Sequence, residues 1–254
     1  MKNLAKRPDT SFKRREDDDL RRVSIDNIQE YMDVLYEDDY DKKIRGARSI
    51  LYLLTEPAHI CDLLEKESLF GLLSRTLRED HKKNMELSIY LLCIFFTYSS
   101  YSEFHPMLME YSIGDTCVKI LEFQLAKYII RKQELASQEL KLKKTAPKEY
   151  EKEQSRFFFM VKKQDRILRI CFNILINLAE ETKIEKKMVK RDIVSLLVKN
   201  LDRSNINLIV IILLFLKKLS IYDENKNQMI KMNVINEFNR LFLLILDCSI
   251  SIMS

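Results

Sequence analysis

Phe172-Asn173-Ile174-Leu175-Ile176-Asn177-Leu178-Ala179 returns 41 residues later as Leu213-Leu214-Phe215-Leu216-Lys217-Lys218-Leu219-Ser220. The same offset carries Met188 to Met229, Ile193 to Val234 and Leu197 to Phe238. The sequence around both copies is helical, and a period near forty residues in helical sequence is what an armadillo or HEAT solenoid writes. One such unit cannot bury its apolar face alone, so neighbours stack into an elongated core whose concave wall is free for partners. The expected fold class is therefore all-α, an armadillo-repeat superhelical solenoid, with an inserted charged helical hairpin described below.

Composition agrees with that expectation. Only three glycines (Gly46, Gly71, Gly114) and four prolines occur in 254 residues, which leaves little turn chemistry for a many-stranded sheet. A net charge of +5 is modest; it permits acidic partners and gives no reason to expect nucleic acid. Cys61, Cys93, Cys117, Cys171 and Cys248 are dispersed, with no close pair and no histidine cluster, as in a cytosolic protein with reduced thiols. The N-terminus runs from Met1 into charged residues without the apolar core of a secretory signal. The longest apolar runs, 208–216 and 241–246, fall well short of the roughly 20 residues that span a bilayer. Phosphate loops and Cys-x-x-Cys or His-Glu-x-x-His spacings are missing, and His59, His81 and His105 fall in different repeats. No nucleophile stands with a base and its orienting group, so the expectation is a protein that is not an enzyme and carries no cofactor or metal.

Timing along the chain gives the organisation. Residues 1–22 hold Lys13-Arg14-Arg15-Glu16-Asp17-Asp18-Asp19 and few apolar side chains, the composition of a disordered charged tail. Armadillo repeats are expected over 23–121, the first one partial. Ile25, Ile28, Met32 and Leu35 share a helix face behind Ser24 as N-cap, and a second helix over 41–54 presents Ile44, Ala47, Ile50, Leu51 and Leu54. Pro57 opens a short helix, and helices over 69–77 and 82–97 complete a short, medium and long set. The next set begins at 101–111 and 113, with Gly71 and Gly114 in matching places. Residues 122–164 then interrupt the pattern as a helical hairpin broken at Lys144-Thr145-Ala146-Pro147, and the third helix is delayed to 166–180. Repeats continue over 165–254. The last is expected to be incomplete, as in a truncated form, because the apolar run at 241–246 has no following helix to cover it.

Longer words in the sequence point to one family. Leu35-Tyr36-Glu37-Asp38, Leu77-Arg78-Glu79-Asp80, Ile94-Phe95-Phe96-Thr97-Tyr98-Ser99-Ser100-Tyr101-Ser102-Glu103-Phe104-His105, Asn177-Leu178-Ala179-Glu180-Glu181-Thr182 and Phe215-Leu216-Lys217-Lys218-Leu219-Ser220-Ile221 resemble kinesin-associated protein, the non-motor subunit of heterotrimeric kinesin-2. Glu224-Asn225-Lys226-Asn227-Gln228-Met229 and the charged insertion are similar as well. The resemblance implies a cytoplasmic, cytoskeleton-associated adaptor, in the cilium or flagellum of ciliated cells. Its implied partners are the tails of the kinesin-2 motor chains and cargo adaptor proteins, for microtubule-based and intraflagellar transport. Self-association is not expected. Family members are much longer, and the match fades after about residue 236.

In an armadillo stack the third helices line the concave wall. On the helix over 166–180, Arg166, Arg169, Asn173 and Asn177 form one polar stripe at i, i+3, i+7 and i+11. Asn177 takes the place of the armadillo asparagine, whose amide can hold an extended peptide backbone. One repeat on, Leu214, Lys217 and Lys218 continue the wall with apolar and cationic character suited to an acidic segment. The plainer reading makes Asn173 and Asn177 the solvated edge of a core helix. If they serve the groove alone, their removal weakens a complex and leaves the melting temperature unchanged. Residues 122–165 carry eleven Lys/Arg against seven Asp/Glu, either a solvated hairpin or a surface for an acidic partner. Arg21-Arg22-Val23-Ser24 has the form of a basophilic kinase site, so Ser24 is a candidate phosphorylation site as well as a cap. An importin-alpha-like nuclear import adaptor or another armadillo scaffold is the alternative; the importin family relies on groove tryptophans, and this chain has none.

Overall fold

The computed structural model describes residues 23–66, 68–179 and 191–240. The tail at 1–22, the start of the repeat at 182, the apolar run at 241–246 and Cys248 lie outside them. Among the described residues the chain is all-α, as expected, with no strand. It divides into two units, residues 1–79 and 80–254.

In the first unit Ser24 caps a short 3-10 turn, its hydroxyl accepting from the Asp26 N–H. Helix α1 (Ile28–Asp33) follows, then a 3-10 turn (Val34–Tyr36) and α2 (Tyr40–Leu53), which packs on both. Asp39 caps α2 by accepting from the Asp41 and Lys42 N–H groups. Ile28, Met32 and Leu35 are buried as their spacing predicts. On α2, Ala47, Ile50 and Leu53 go inside, and Ile44 and Leu51 are left half-buried. Gly46 is dictated by close approach: a Cβ there would lie 2.4 Å from Val34 Cγ2 and 2.7 Å from the Tyr31 carbonyl oxygen. Helices α3 (Pro57–Leu64) and α4 (Leu69–Asp80) complete the series, with Pro57 at the first helical position.

The second unit contains α5 (Met85–Ser99), α6 (His105–Glu110), α7 (Ile113–Thr145), α8 (Pro147–Leu178), α9 (Ile193–Lys199), α10 (Ile206–Leu219) and α11 (Asp223–Lys231). Among the described residues three have positive φ, and all three stand directly before a buried β-branched residue: Ser112 before Ile113, Asp192 before Ile193, Asn233 before Val234. Short polar side chains tolerate this left-handed conformation best. The recurrence marks one sharp turn used three times in the second unit. A second recurring device closes the long helices. His105 Nε2 meets the Ser99 carbonyl at 2.9 Å and the Asn225 amide donates to the Leu219 carbonyl at 3.0 Å. In the first unit His59 Nδ1 meets the Leu53 carbonyl at 3.3 Å, again six residues back. Each adds a side-chain partner to a carbonyl in the last turn of a helix; those of Leu53 and Leu219 also accept the Glu56 and Tyr222 N–H groups. Two of the histidines that looked isolated in the sequence are thus the same cap in two successive repeats.

The insertion is a helical hairpin, as expected, and it is continuous with the helices on either side of it. Helix α7 runs unbroken through residue 122, and α8 runs unbroken through residues 164 and 165, so both proposed boundaries fall inside continuous helices. The third helix, expected to start at Arg166, begins at Pro147. One residue, Ala146, joins α7 to α8, which forces them antiparallel. The register is set by Gly114 against Leu175 and Leu178, Gln124 against Gln164, and Tyr128 stacked on Phe157 at 5.9 Å. The extra sequence therefore lengthens two consecutive helices that pack on each other.

Candidate functional site

Helix α8 lies between α5 and α10 and packs on both. On one side Lys163 pairs with Glu86 at 3.7 Å, Arg166 and Arg169 sit beside Cys93, and the Asn177 amide donates to Ser99 Oγ at 3.0 Å. On the other, the Phe172 and Phe215 rings meet edge to face at 6.4 Å, and Lys218 Nζ donates to the Ile176 carbonyl at 2.9 Å. In both interfaces residue numbers rise together, so the three helices run parallel, as corresponding helices of successive repeats must. The offset is 78 residues from Ser99 to Asn177 and 42 from Ile176 to Lys218. The difference is the length taken up by the elongated α7 and α8.

The seven predicted groove residues are brought together on this layer. Arg166 and Arg169 are exposed, and Asn173 and Asn177 half-buried, in one stripe along α8. Leu214 and Lys217 are exposed on the neighbouring α10, and Lys218 is half-buried. Three of the seven are already engaged. Asn173 donates to the Arg169 carbonyl at 3.0 Å along its own helix; Asn177 bridges to α5; Lys218 meets a carbonyl in the last turn of α8, where a cation complements the helix dipole. Asn177 therefore bridges two helices, and its removal is expected to lower the melting temperature, unlike that of a residue serving the groove alone. Ser24 belongs to the other unit. Its hydroxyl donates to Asp26 Oδ2 at 3.0 Å, and that carboxylate opposes a phosphate placed on the same oxygen.

The structure adds residues that sequence reasoning missed. Glu86, Ile89 and Tyr90 of α5 face Phe159, Lys162, Lys163 and Arg166 of α8 across a groove of about 290 Å³. Cys93 lies further along the same seam, half-buried. Burial pushes its thiol up from the ordinary value, and the nearby Arg166 and Arg169 charges oppose that shift. The one signal available beforehand was helical spacing, which places Phe159, Lys162, Lys163 and Arg166 on one side of a single continuous helix. It was obscured by the expected break before Arg166.

A second cluster fixes α8 from its inner side. Arg203, in the turn before α10, donates to Asp165 Oδ1 at 2.7 Å and to Asn200 Oδ1 at 3.0 Å, and lies 4.2 Å over the Tyr128 ring. The Gln164 amide donates to the Gln124 side-chain oxygen at 3.0 Å and to its carbonyl at 3.1 Å. All of these polar groups are buried. Burial pulls the Arg203 guanidinium below its ordinary value, and the bond to Asp165 opposes this. Such a network is a structural pin, since a buried ion pair needs further hydrogen bonds to offset its desolvation, and within it the Gln124 amide nitrogen is left without a partner.

Among the described residues no helix is long and apolar enough to cross a membrane, and no three His, Cys, Asp or Glu side chains are grouped to hold a metal. What the second unit offers is a layer of parallel helices with cations and a few apolar side chains exposed and a groove beside it. The family model of kinesin-associated protein (KAP) matches residues 3–249, nearly the whole sequence, and this chain belongs to the kinesin-associated protein family.

Proposed function

We propose that this chain is a non-catalytic armadillo adaptor that holds the tails of kinesin-2 motor chains and links them to cargo adaptor proteins. The setting is microtubule-based transport in the cytoplasm and, in ciliated cells, intraflagellar transport. The family supports the association with kinesin. The observation that carries the assignment to a surface is the parallel layer α5, α8 and α10, with Arg166 and Arg169 exposed on α8 and Leu214 and Lys217 exposed on α10. Cations lining a seam between helices favour an acidic or amide-rich segment and repel a basic one. An importin-like role, which needs a basic ligand, is disfavoured for that reason.

Affinity purification of the full chain from extracts of ciliated cells tests the proposal. Two different kinesin-2 motor chains are expected to co-purify, and the Arg166→Glu, Arg169→Glu double variant is expected to lose them. Retention of both motor chains by that variant would move the binding surface elsewhere. A bead-bound basic localisation peptide is expected to capture nothing.

A further inference from the structure

We propose that the groove between α5 and the elongated part of α8 receives an acidic segment of a partner protein that carries one bulky apolar side chain. The inference rests on reading the α5–α8 face as the partner-binding face, and it gives the charged insertion a role within it. The insertion supplies one wall.

The floor and walls of the groove are apolar: Ile89 is buried at its base, Tyr90 is half-buried, and Phe159 is 64% exposed. Its volume of about 290 Å³ lies at the bottom of the range for small-molecule sites, which suits an anchoring side chain better than a whole ligand. Around this cleft the charge is one-sided. Elsewhere on α7 and α8, Arg131 pairs with Glu134, Lys132 with Asp202, Lys143 with Glu139 and Arg156 with Glu153, while Lys119, Lys127, Lys148 and Lys152 are spread singly without a carboxylate among the described residues. Lys162 and Arg166 in the lining, and Arg169 just beyond it along the seam, meet no carboxylate among the described residues. The single acid in the lining, Glu86, is taken by Lys163, which also lies 5.0 Å over the Phe159 ring. An apolar cleft with an exposed aromatic wall and three unneutralised cations is complementary to a hydrophobic residue flanked by Asp or Glu. Because Lys162 and Phe159 lie on the stretch of α8 that precedes Arg166, a repeat of ordinary length would lack both.

The test uses the full chain and a fluorescein-labelled peptide of Asp and Glu residues around one central Phe, followed by anisotropy. Saturable binding is expected. It should weaken about tenfold or more in Phe159→Ala and in Lys162→Glu, and by a similar factor when the central Phe of the peptide becomes Ala. Lys119→Glu, an exposed change on α7, should bind as the unaltered chain does. Circular dichroism is expected to show all three variants folded, since the substituted side chains are exposed. Bound peptide should also slow alkylation of Cys93. Three results would overturn the proposal: equal affinity for the Phe and Ala peptides, affinity indifferent to Phe159→Ala and Lys162→Glu, or no peptide binding alongside binding to phosphatidylserine vesicles. Failure here is separable from failure of the adaptor reading. If the peptide does not bind yet the motor chains co-purify, the groove is not their seat and the adaptor stands.

Discussion

Asp165 and Arg166 are neighbours on α8 and face opposite circumstances. Asp165 points inward to Arg203, within a buried set where Gln124, Gln164 and Asn200 supply the remaining hydrogen bonds. Arg166 points outward beside Lys162 and Arg169, and none of these cations meets a carboxylate among the described residues. The inner face uses charge to fix where the elongated helix sits; the outer face keeps charge available. One step along the helix, about 100° of rotation, thus separates a buried pin from an exposed row of cations. Cations alone would not have told the two apart, because partnering, not residue type, makes the distinction.

The comparison is easiest to break on its inner side. Arg203→Met leaves the Asp165 carboxylate buried without its partner and is expected to cost about 3–5 kcal/mol of stability, read by urea denaturation. Adding Asp165→Leu should restore most of that loss, because the penalty lies in the stranded charge. Full stability in the single variant would show that the pin carries nothing.

Asn177 stands at the border of the two faces, and Asn177→Ala is expected to cost about 0.5–1.5 kcal/mol, the usual worth of one hydrogen bond. A melting temperature identical to that of the unaltered chain would mean that the bridge to Ser99 contributes nothing and would return Asn177 to the groove alone.

The smallest expected effect concerns thiol chemistry. At neutral pH exposed Cys61 should alkylate first, half-buried Cys93 slowly, and buried Cys117 and Cys171 only on unfolding. Arg166 opposes the upward push that burial gives the Cys93 thiol, so Arg166→Ala should raise it further and lower the thiolate fraction at any pH below it. Alkylation of Cys93 should then slow, a shift measurable by mass spectrometry over a pH series. Faster alkylation in that variant would mean that Arg166 acts by shielding the sulfur rather than through its charge.

Much of the fold was legible because the 172–179 and 213–220 stretches repeat both spacing and residue type, and helical periodicity survives without knowledge of neighbours. The stripe Arg166, Arg169, Asn173 and Asn177 was legible for the same reason: it lies within one helix. Three things were not. The continuity of α7 and α8 was hidden because polar composition resembles an insertion whether the helix continues or breaks. The caps by His59, His105 and Asn225 were hidden because their partners are backbone carbonyls, which leave no trace in residue type. The groove was hidden because Glu86, Tyr90 and Cys93 meet Phe159, Lys163 and Arg166 only once two helices more than seventy residues apart are laid side by side.

The most direct test of the central claim, that the outer face of α8 recognises partners and the inner face does not, is a paired measurement on the Arg166→Glu, Arg169→Glu chain. Its urea midpoint should match the unaltered chain to within about 0.5 kcal/mol, as exposed substitutions usually do, while capture of kinesin-2 motor tails falls at least tenfold. Unchanged capture, or a large fall in stability accompanying its loss, would contradict the account.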